Sequence, residues 1–481
     1  MVGELLILAM VAAAPSHDSC RIDRSGISAE QWLARAWEAM GVDRERGRIL
    51  AYHATTGTEE NYQSDRTYPP FFSAFERREG WFDPATGLDR SRSQVIFPGA
   101  SGGSSGFDLL TTGRATWMAR DTAVRPAASI QLDAIAGRRL NPIAVVRDWR
   151  RDREAVGGGR CHYRDYERVV LERRDQGAGQ RLFLDPKTGY PVKLELEEPH
   201  YLWGQVRVEY LWSTWIRVGQ ASLPGASFRL VDGAVENTST LGQAQWVSAD
   251  SAPARPVIDT ALAMPSELPR FLQPLPVDTV RVSDRLFLLH NLGYREAVAL
   301  VRDTVFLFDA TQGDERARLD SAWIAKVFPG PHPLVLVVTD LAWPHVAGVR
   351  YWVSRGATVV SHAASRDFLE RVVSRRWTRW PDALERARRP LRFVPVTDSL
   401  RLAGGDVILH PIDGIASEGA LMGWLPSSRF LWASDYIQDL SQPTQYLTEV
   451  AAAASRARLS PLRFAAEHVP LTEWTTVERL R

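Results

Sequence analysis

Prolines at positions 253, 256, 265, 269, 274 and 276 interrupt the chain between Ser251 and Pro276. Proline has no backbone N–H and a fixed φ, so this stretch can continue neither a helix nor a central strand. It divides the 481 residues into a piece spanning 20–250, a linker at 251–278 and a piece spanning 279–481. Either piece, at about 200 residues, is long enough to bury its own core.

The two pieces differ in texture. In the first, Ser28 and Gln31 form a capping box ahead of Trp32, Ala36, Trp37 and Met40, spaced for one helix face, and Gly41 ends the helix. From about residue 45 to 250 strand signals dominate. Val206, Val208 and Tyr210 alternate with Arg207 and Glu209, the pattern of a half-buried antiparallel strand, and Asp185–Gly189 (DPKTG) is a turn by its chemistry. One helical interruption is predicted at Leu140–Arg151. In the second piece, strand-like runs (LFLLHN, VALVRDTVFLFDA, PLVLVVTD, ATVVSH) alternate with helical patterns at Arg316–Val327 and His345–Ser354. Such alternation predicts a layered α/β arrangement.

Composition removes several classes of function. With 45% apolar residues the chain is neither disordered nor a fibrous repeat. Formal net charge is +1, from 58 basic and 57 acidic residues, which gives no global electrostatic case for nucleic acid. The apolar run Leu5–Ala14 is too short to span a bilayer and is followed by Pro15 and polar residues. It reads as a secretory signal over residues 1–19, and places the mature chain in the periplasm or outside the cell, with no transmembrane segment. Cys20 and Cys161 are the only cysteines; after export they either pair or remain two separate thiols.

Two resemblances follow from particular motifs. LFLDPKTGYPVKLEL and the later VGQASLP resemble the curved half-barrel of lipoprotein-carrier and outer-membrane-lipoprotein-sorting domains, whose concave face holds a lipid chain or another apolar ligand. From about Asp284 to the C-terminus the chain resembles the metallo-β-lactamase fold superfamily. LHNLGYREAVALVRDTVFLFDA is similar to its opening hairpin, ending at Asp309. Thr339–His345 (TDLAWPH) stands at its T-H-x-H-x-D-H signature, GIASEGALMGWLPSSRFLWASDYI at its next ligand-bearing stretch, and RLSPLRFAAEHVPLTEW at its close. The implied fold class is α+β: an antiparallel, half-barrel-like β-rich domain followed by an αββα sandwich.

That signature exists to hold two zinc ions, each needing three or four N or O donors and an open position for water. This sequence departs from it. Asp340 stands at the first His, Ala342 at the second, Pro344 at the Asp and Ala416 at the next His. His345, Asp435 and His468 match the remaining ligands. The resemblance therefore implies no dinuclear centre. It leaves His345, Asp435 and His468 as a candidate single metal site, with Asp340 as an added donor and Asp435 as the candidate catalytic carboxylate.

Other patterns carry less. Gly99–Gly103 fits the nucleophile-elbow spacing around Ser101, but flexible Ser/Gly residues follow where a helix should begin. His362 and His410 fall at strand ends, and Glu418 lies two residues after Ala416. Arg371–Arg389 is basic, with Trp377 and Trp380, and reads as a connecting helix with a solvated arginine face. The expectation is an exported binding or scaffolding protein for a small or apolar ligand, hydrolase-derived, with no tightly held metal. The alternative is a hydrolase of an ester, amide or lactone that uses one zinc at His345, Asp435 and His468.

Overall fold

The computed structural model describes residues 20–480, except 21, 24–25, 60–71, 97–103, 114, 121–122, 127–130, 152–154, 164–165, 176–177, 254–276, 292 and 415–417. The expected signal segment, most of the Pro-rich stretch, Ser101 and Ala416 lie outside the described residues.

Ser28 caps α1 (Ala29–Met40) by accepting from the Gln31 N–H at 3.3 Å, and Gly41 closes the helix with a φ of 70°. Leu33, Ala36, Trp37 and Met40 form its buried face, while Trp32 is only half-buried. The predicted interruption near residue 140 comprises two helices, α2 (Gln131–Arg139) and α3 (Pro142–Arg151). They separate at Asn141, whose side chain accepts from the Ile143 N–H, and Pro142 occupies the first helical position, where its missing N–H costs nothing.

Among the described residues, thirteen strands form one antiparallel sheet. In chain order they are β1 (Arg48–Glu59), β2 (Phe72–Phe82), β3 (Asp89–Ile96), β4 (Ser104–Thr111), β5 (Thr116–Arg120) and β6 (Ala123–Pro126). After α2 and α3 follow β7 (Ala155–Tyr163), β8 (Tyr166–Asp175), β9 (Ala178–Leu184), β10 (Pro191–His200), β11 (Gly204–Val218), β12 (Ala221–Val231) and β13 (Ala234–Ser248). Across the sheet, β6 through β1 is followed by β13 through β7. A six-strand meander is thus laid down twice, with β7 at the far edge. The second hairpin of each run carries the same turn, Asp83–Gly87 (DPATG) and Asp185–Gly189 (DPKTG), both closed by a glycine of positive φ. Arg147 of α3 donates to the carbonyls of Pro84 and Ala85 in the first turn; Arg35 of α1 donates to those of Pro186 and Lys187 in the second. A disulfide joins Cys20 to Cys161 of β7.

The second half holds two more sheets. The first comprises β14 (Asp278–Ser283), β15 (Leu286–Asn291), β16 (Tyr294–Val301), β17 (Thr304–Phe308), β18 (Leu334–Val338), β19 (Thr358–His362) and β20 (Phe393–Val396), in that order. Pairing is antiparallel up to β17 and parallel beyond it, where α4 (Asp314–Val327), α5 (Trp343–Val346), α6 (Val349–Ser354), α7 (Arg366–Ser374) and α8 (Ala383–Ala387) lie between strands. The run VALVRDTVFLFDA is two strands joined by a turn at Arg302, and the helix predicted over His345–Ser354 is broken between α5 and α6. The other sheet runs β21 (Leu400–Leu402), β22 (Val407–Pro411), β23 (Leu421–Leu425), β24 (Phe430–Trp432), β25 (Arg463–Ala465), β26 (Thr472–Glu473), with α9 (Gln445–Arg456) and α10 (Thr475–Leu480) beside it. The sheets meet face to face through Leu288, Phe306, Phe308 and Val337 on one side and Leu409, Leu421, Phe430 and Trp432 on the other. Their outer faces are covered by α4, α6 and α7, and by α9 and α10.

The basic run at 371–389 behaves differently from the solvated helix its composition suggests. Its helix stops at Ser374, and Arg375 then donates to the carbonyls of Trp203 and Gln205 and pairs with Asp232. Arg379 pairs with Glu197, and Trp377 is buried against Gly204, where any Cβ would meet the indole at 2.4 Å. The arginines and the tryptophan clasp the thirteen-stranded sheet. Among the described residues no helix is long and apolar enough to cross a membrane.

Candidate metal centre

The carboxyl ends of four strands from the two facing sheets converge at one rim, where α/β folds place ligands. Strand β17 leads to Asp309, β18 to Thr339 and Asp340, β24 to Ser434 and Asp435, and β25 to Glu467 and His468. Strands β17 and β18 are almost wholly apolar, so the first polar residues follow where they emerge from the core. The Ala310 N–H donates to the His345 carbonyl, Leu421 N–H to the Thr339 carbonyl and Glu467 N–H to the Ser434 carbonyl, fixing the loops to each other. Asp309, Gln312 and Ser434 adopt positive φ here (69°, 62° and 57°), a backbone cost that non-glycine residues meet mainly where the surroundings demand it.

His345, fully buried, stands between carboxylates. Its Nδ1 is 3.1 Å from Asp309 Oδ2; its Nε2 is 3.0 Å from Glu467 Oε2 and 4.0 Å from Asp435 Oδ2. Asp309 is itself held by the Thr339 N–H and hydroxyl and by the Trp432 indole N–H, at 2.7–2.8 Å. It is thereby fixed as the group that orients the imidazole. His468 Nε2 lies 3.3 Å from Asp435 Oδ1 and 3.6 Å from Glu467 Oε2, its ring edge-on to Tyr294.

Four carboxylates, of Asp309, Asp340, Asp435 and Glu467, thus surround two imidazoles. Burial pushes the Asp435 carboxyl well above its usual range, with Glu467 adding to the effect and His345 opposing it. Asp340 is raised chiefly by burial as well. Burial would lower His345, but Glu467 and Asp309 outweigh it and raise the imidazole well above an ordinary histidine. Burial keeps His468 below that range against the pull of Glu467. Both Glu467 oxygens, Asp435 Oδ1 and both His345 nitrogens are buried without an aligned hydrogen-bond partner.

One donor atom each from His345, Asp435 and Glu467 lie within 4.8 Å of one another, a group able to hold a metal ion. Ligands of a tetrahedral zinc at 2.0–2.2 Å sit about 3.3 Å apart, close to the 3.0–4.0 Å separations from His345 Nε2. His468 flanks this group rather than belonging to it. Glu467, which sequence reasoning passed over, is one of the three; the one signal was its position beside His468 on an emerging strand. Asp340 instead accepts from the Ala342 N–H at 2.6 Å, and Ala342 is buried and offers no donor. Neither His362 nor His410 joins the group: His362 Nδ1 accepts from the Ala364 N–H as a turn cap, and His410 is lowered by burial and by Arg401. Glu418 lies in a half-buried loop outside it.

No family model and no curated protein matches the sequence. Among solved structures the chain is similar to DIM-1 metallo-β-lactamase, at 15% identity and a TM-score of 0.35, covering 43% of this chain and 96% of that one. It is similar to a metallo-β-lactamase from Pontibacter korlensis (15%, TM-score 0.34, 42% and 96%). A third is FIM-1 from Pseudomonas aeruginosa in its mono-zinc form (14%, TM-score 0.34, 43% and 94%).

Proposed function

We propose that the second half is a metallo-β-lactamase-like αββα domain acting as a hydrolase of an ester, amide or lactone with one divalent metal. The observation that carries this reading is the convergence of His345, Asp435 and Glu467 donors within 4.8 Å, with Asp435 Oδ1 and both Glu467 oxygens buried without a hydrogen-bond partner. His345, Asp435 and Glu467 would hold the ion, zinc suiting this N and O set, and His468 stands beside it. When bound, a divalent metal would supply Lewis acidity and bring the pKa of water down toward neutrality. Asp309 fixes the His345 ring so that Nε2 faces inward. His468, partly exposed and in contact with Asp435, is placed to accept or return a proton at Nε2. The loss of donors at Ala342 argues against a second ion.

Export belongs to the same reading, supported by the apolar run before Pro15 and by the Cys20–Cys161 disulfide. The division into two domains about the Pro-rich stretch is part of it as well. A second reading rests on the 3.0 Å approach of His345 Nε2 to Glu467: an imidazolium clamped by Asp309 and Glu467 replaces the metal, and the domain serves as a binding scaffold. Elemental analysis of the purified chain, with a panel of chromogenic esters, lactones and β-lactams, decides between them. One metal per chain, with turnover lost on chelation and restored by zinc, is the expected result. A folded chain that takes up no metal selects the scaffold; two tightly held ions overturn both.

A further inference from the structure

We infer that the C-terminal end of α3 and the Asp83–Gly87 turn form a binding pocket for a phosphate-type anion, independent of the metal centre. An open pocket of about 590 Å³ lies there, lined by Trp37, Pro84, Ala85, Arg147, Arg150 and Arg151. The spacing i, i+3, i+4 gathers the three arginines on one side of α3. The residues between and before them, Val145, Val146 and Trp149, are buried in the core.

Two of the guanidinium groups are held in advance. Arg147 is anchored by its bonds to the Pro84 and Ala85 carbonyls at 2.6 and 2.8 Å. Arg150 lies over the Trp37 ring, 4.8 Å from its centroid. Arg151 is exposed, and among the described residues neither it nor Arg150 meets a carboxylate. Among the described residues the acid on this turn of helix, Asp148, is gripped by Arg138 at 2.6 and 3.1 Å and shared with Arg147 at 3.3 Å. Burial lowers the Arg147 pKa, and repulsion from Arg151 and Arg138 adds to this against Asp148. Among the described residues this one carboxylate stands against Arg138, Arg147, Arg150 and Arg151, so most of the positive charge is uncompensated. The helix C-terminus contributes about half a negative charge, too little to offset three cations. Guanidinium groups suit the oxygens of a phosphate better than a single carboxylate needs, and the indole wall offers an apolar surface to whatever carries it. A soluble phosphomonoester and a phospholipid headgroup share this chemistry.

The test uses the full chain. Calorimetric titration with inorganic phosphate and with phenyl phosphate probes the soluble form. Flotation with phosphatidylglycerol vesicles, against phosphatidylcholine, probes the headgroup. Arg150→Glu/Arg151→Glu reverses two exposed charges, and Arg318→Glu/Arg479→Glu does the same elsewhere on the surface. Arg151→Ala alone leaves the Trp37 stack intact. Saturable binding of either probe, weakened by salt, should fall about tenfold or more in the first variant and less in Arg151→Ala, but not in the control. Titration by phosphate or phenyl phosphate identifies a soluble ligand, and flotation with phosphatidylglycerol only identifies the headgroup. Absence of both, or binding unchanged by the charge reversal, overturns the proposal.

Discussion

Beneath α2 and α3, Arg138 grips Asp148 with both terminal nitrogens and donates to the Gly87 carbonyl, Arg78 chelates Glu76, and the Tyr52 hydroxyl donates to Asp89. At the rim of the second half, Glu467 is just as deeply buried, yet neither of its oxygens meets an aligned donor. Both regions bury several charges. The first gives each of its carboxylates a donor from within the cluster, with Arg138 Nε left over, which is close to what a fold needs from such a cluster; the second leaves both Glu467 oxygens and Asp435 Oδ1 without one, at a cost in stability. The contrast separates ionisable groups that hold the chain together from groups kept ready for something else.

The strongest way to break this comparison is Glu467→Gln. The amide keeps the shape but removes the charge, so metal should be lost and turnover with it, while the metal-free chain should be no less stable in urea. A large loss of stability would mean that Glu467 serves the fold. Asp309→Asn tests the orienting partner of His345 and should lower metal affinity or activity about 10–100-fold, measured by competition with a chelator. In the other cluster, Arg138→Met leaves the half-buried Asp148 with Arg147 as its remaining partner and should cost about 1–3 kcal/mol in chemical denaturation. A cost near zero would erase the distinction.

An effect is also expected with pH. Burial lifts Asp89 from 3.8 to about 6, against the pull of Arg78 and Arg138. The native chain therefore holds this proton more tightly than the unfolded one. The corresponding stability is complete below about pH 4 and is lost as pH rises through about 6, by about 2–3 kcal/mol at most. Urea midpoints at pH 4 and 7 should differ in this sense, and the difference should shrink in Asp89→Asn.

Residue pattern alone conveys the change from strand-dominated to alternating texture, because periods of 2 and 3.6 are local properties of sequence. The resemblance likewise brings His345, Asp435 and His468 to neighbouring strand ends. Glu467 escaped because which of two adjacent residues faces inward depends on how β25 leaves its sheet, and that is set by the Glu467–Ser434 backbone bond. Arg375 escaped for a different reason. Its partners are the carbonyls of Trp203 and Gln205, about 170 positions away, and no local pattern encodes them. The same holds for the duplicated D-P-x-T-G turns, whose equivalence becomes visible once the strand order is known.

That strand order bears on how the first half assembles. Every pairing in the thirteen-stranded sheet joins consecutive strands except one, β1 with β13, which brings Arg48 opposite Ser248. The hairpins can close quickly on their own, since short loops cost little entropy and rapid folding follows local contacts. The β1–β13 seam must wait until nearly the whole first half has been made. Side-chain bonds from Thr56 to Ser239 and from Asn237 to Thr58 cross it, and the arginines of α1 and α3 each reach to the turn of the opposite meander. On a ribosome the N-terminal meander would have to persist with β1 as an open edge until β13 emerges, so the seam is where the chain is most exposed to wrong pairing.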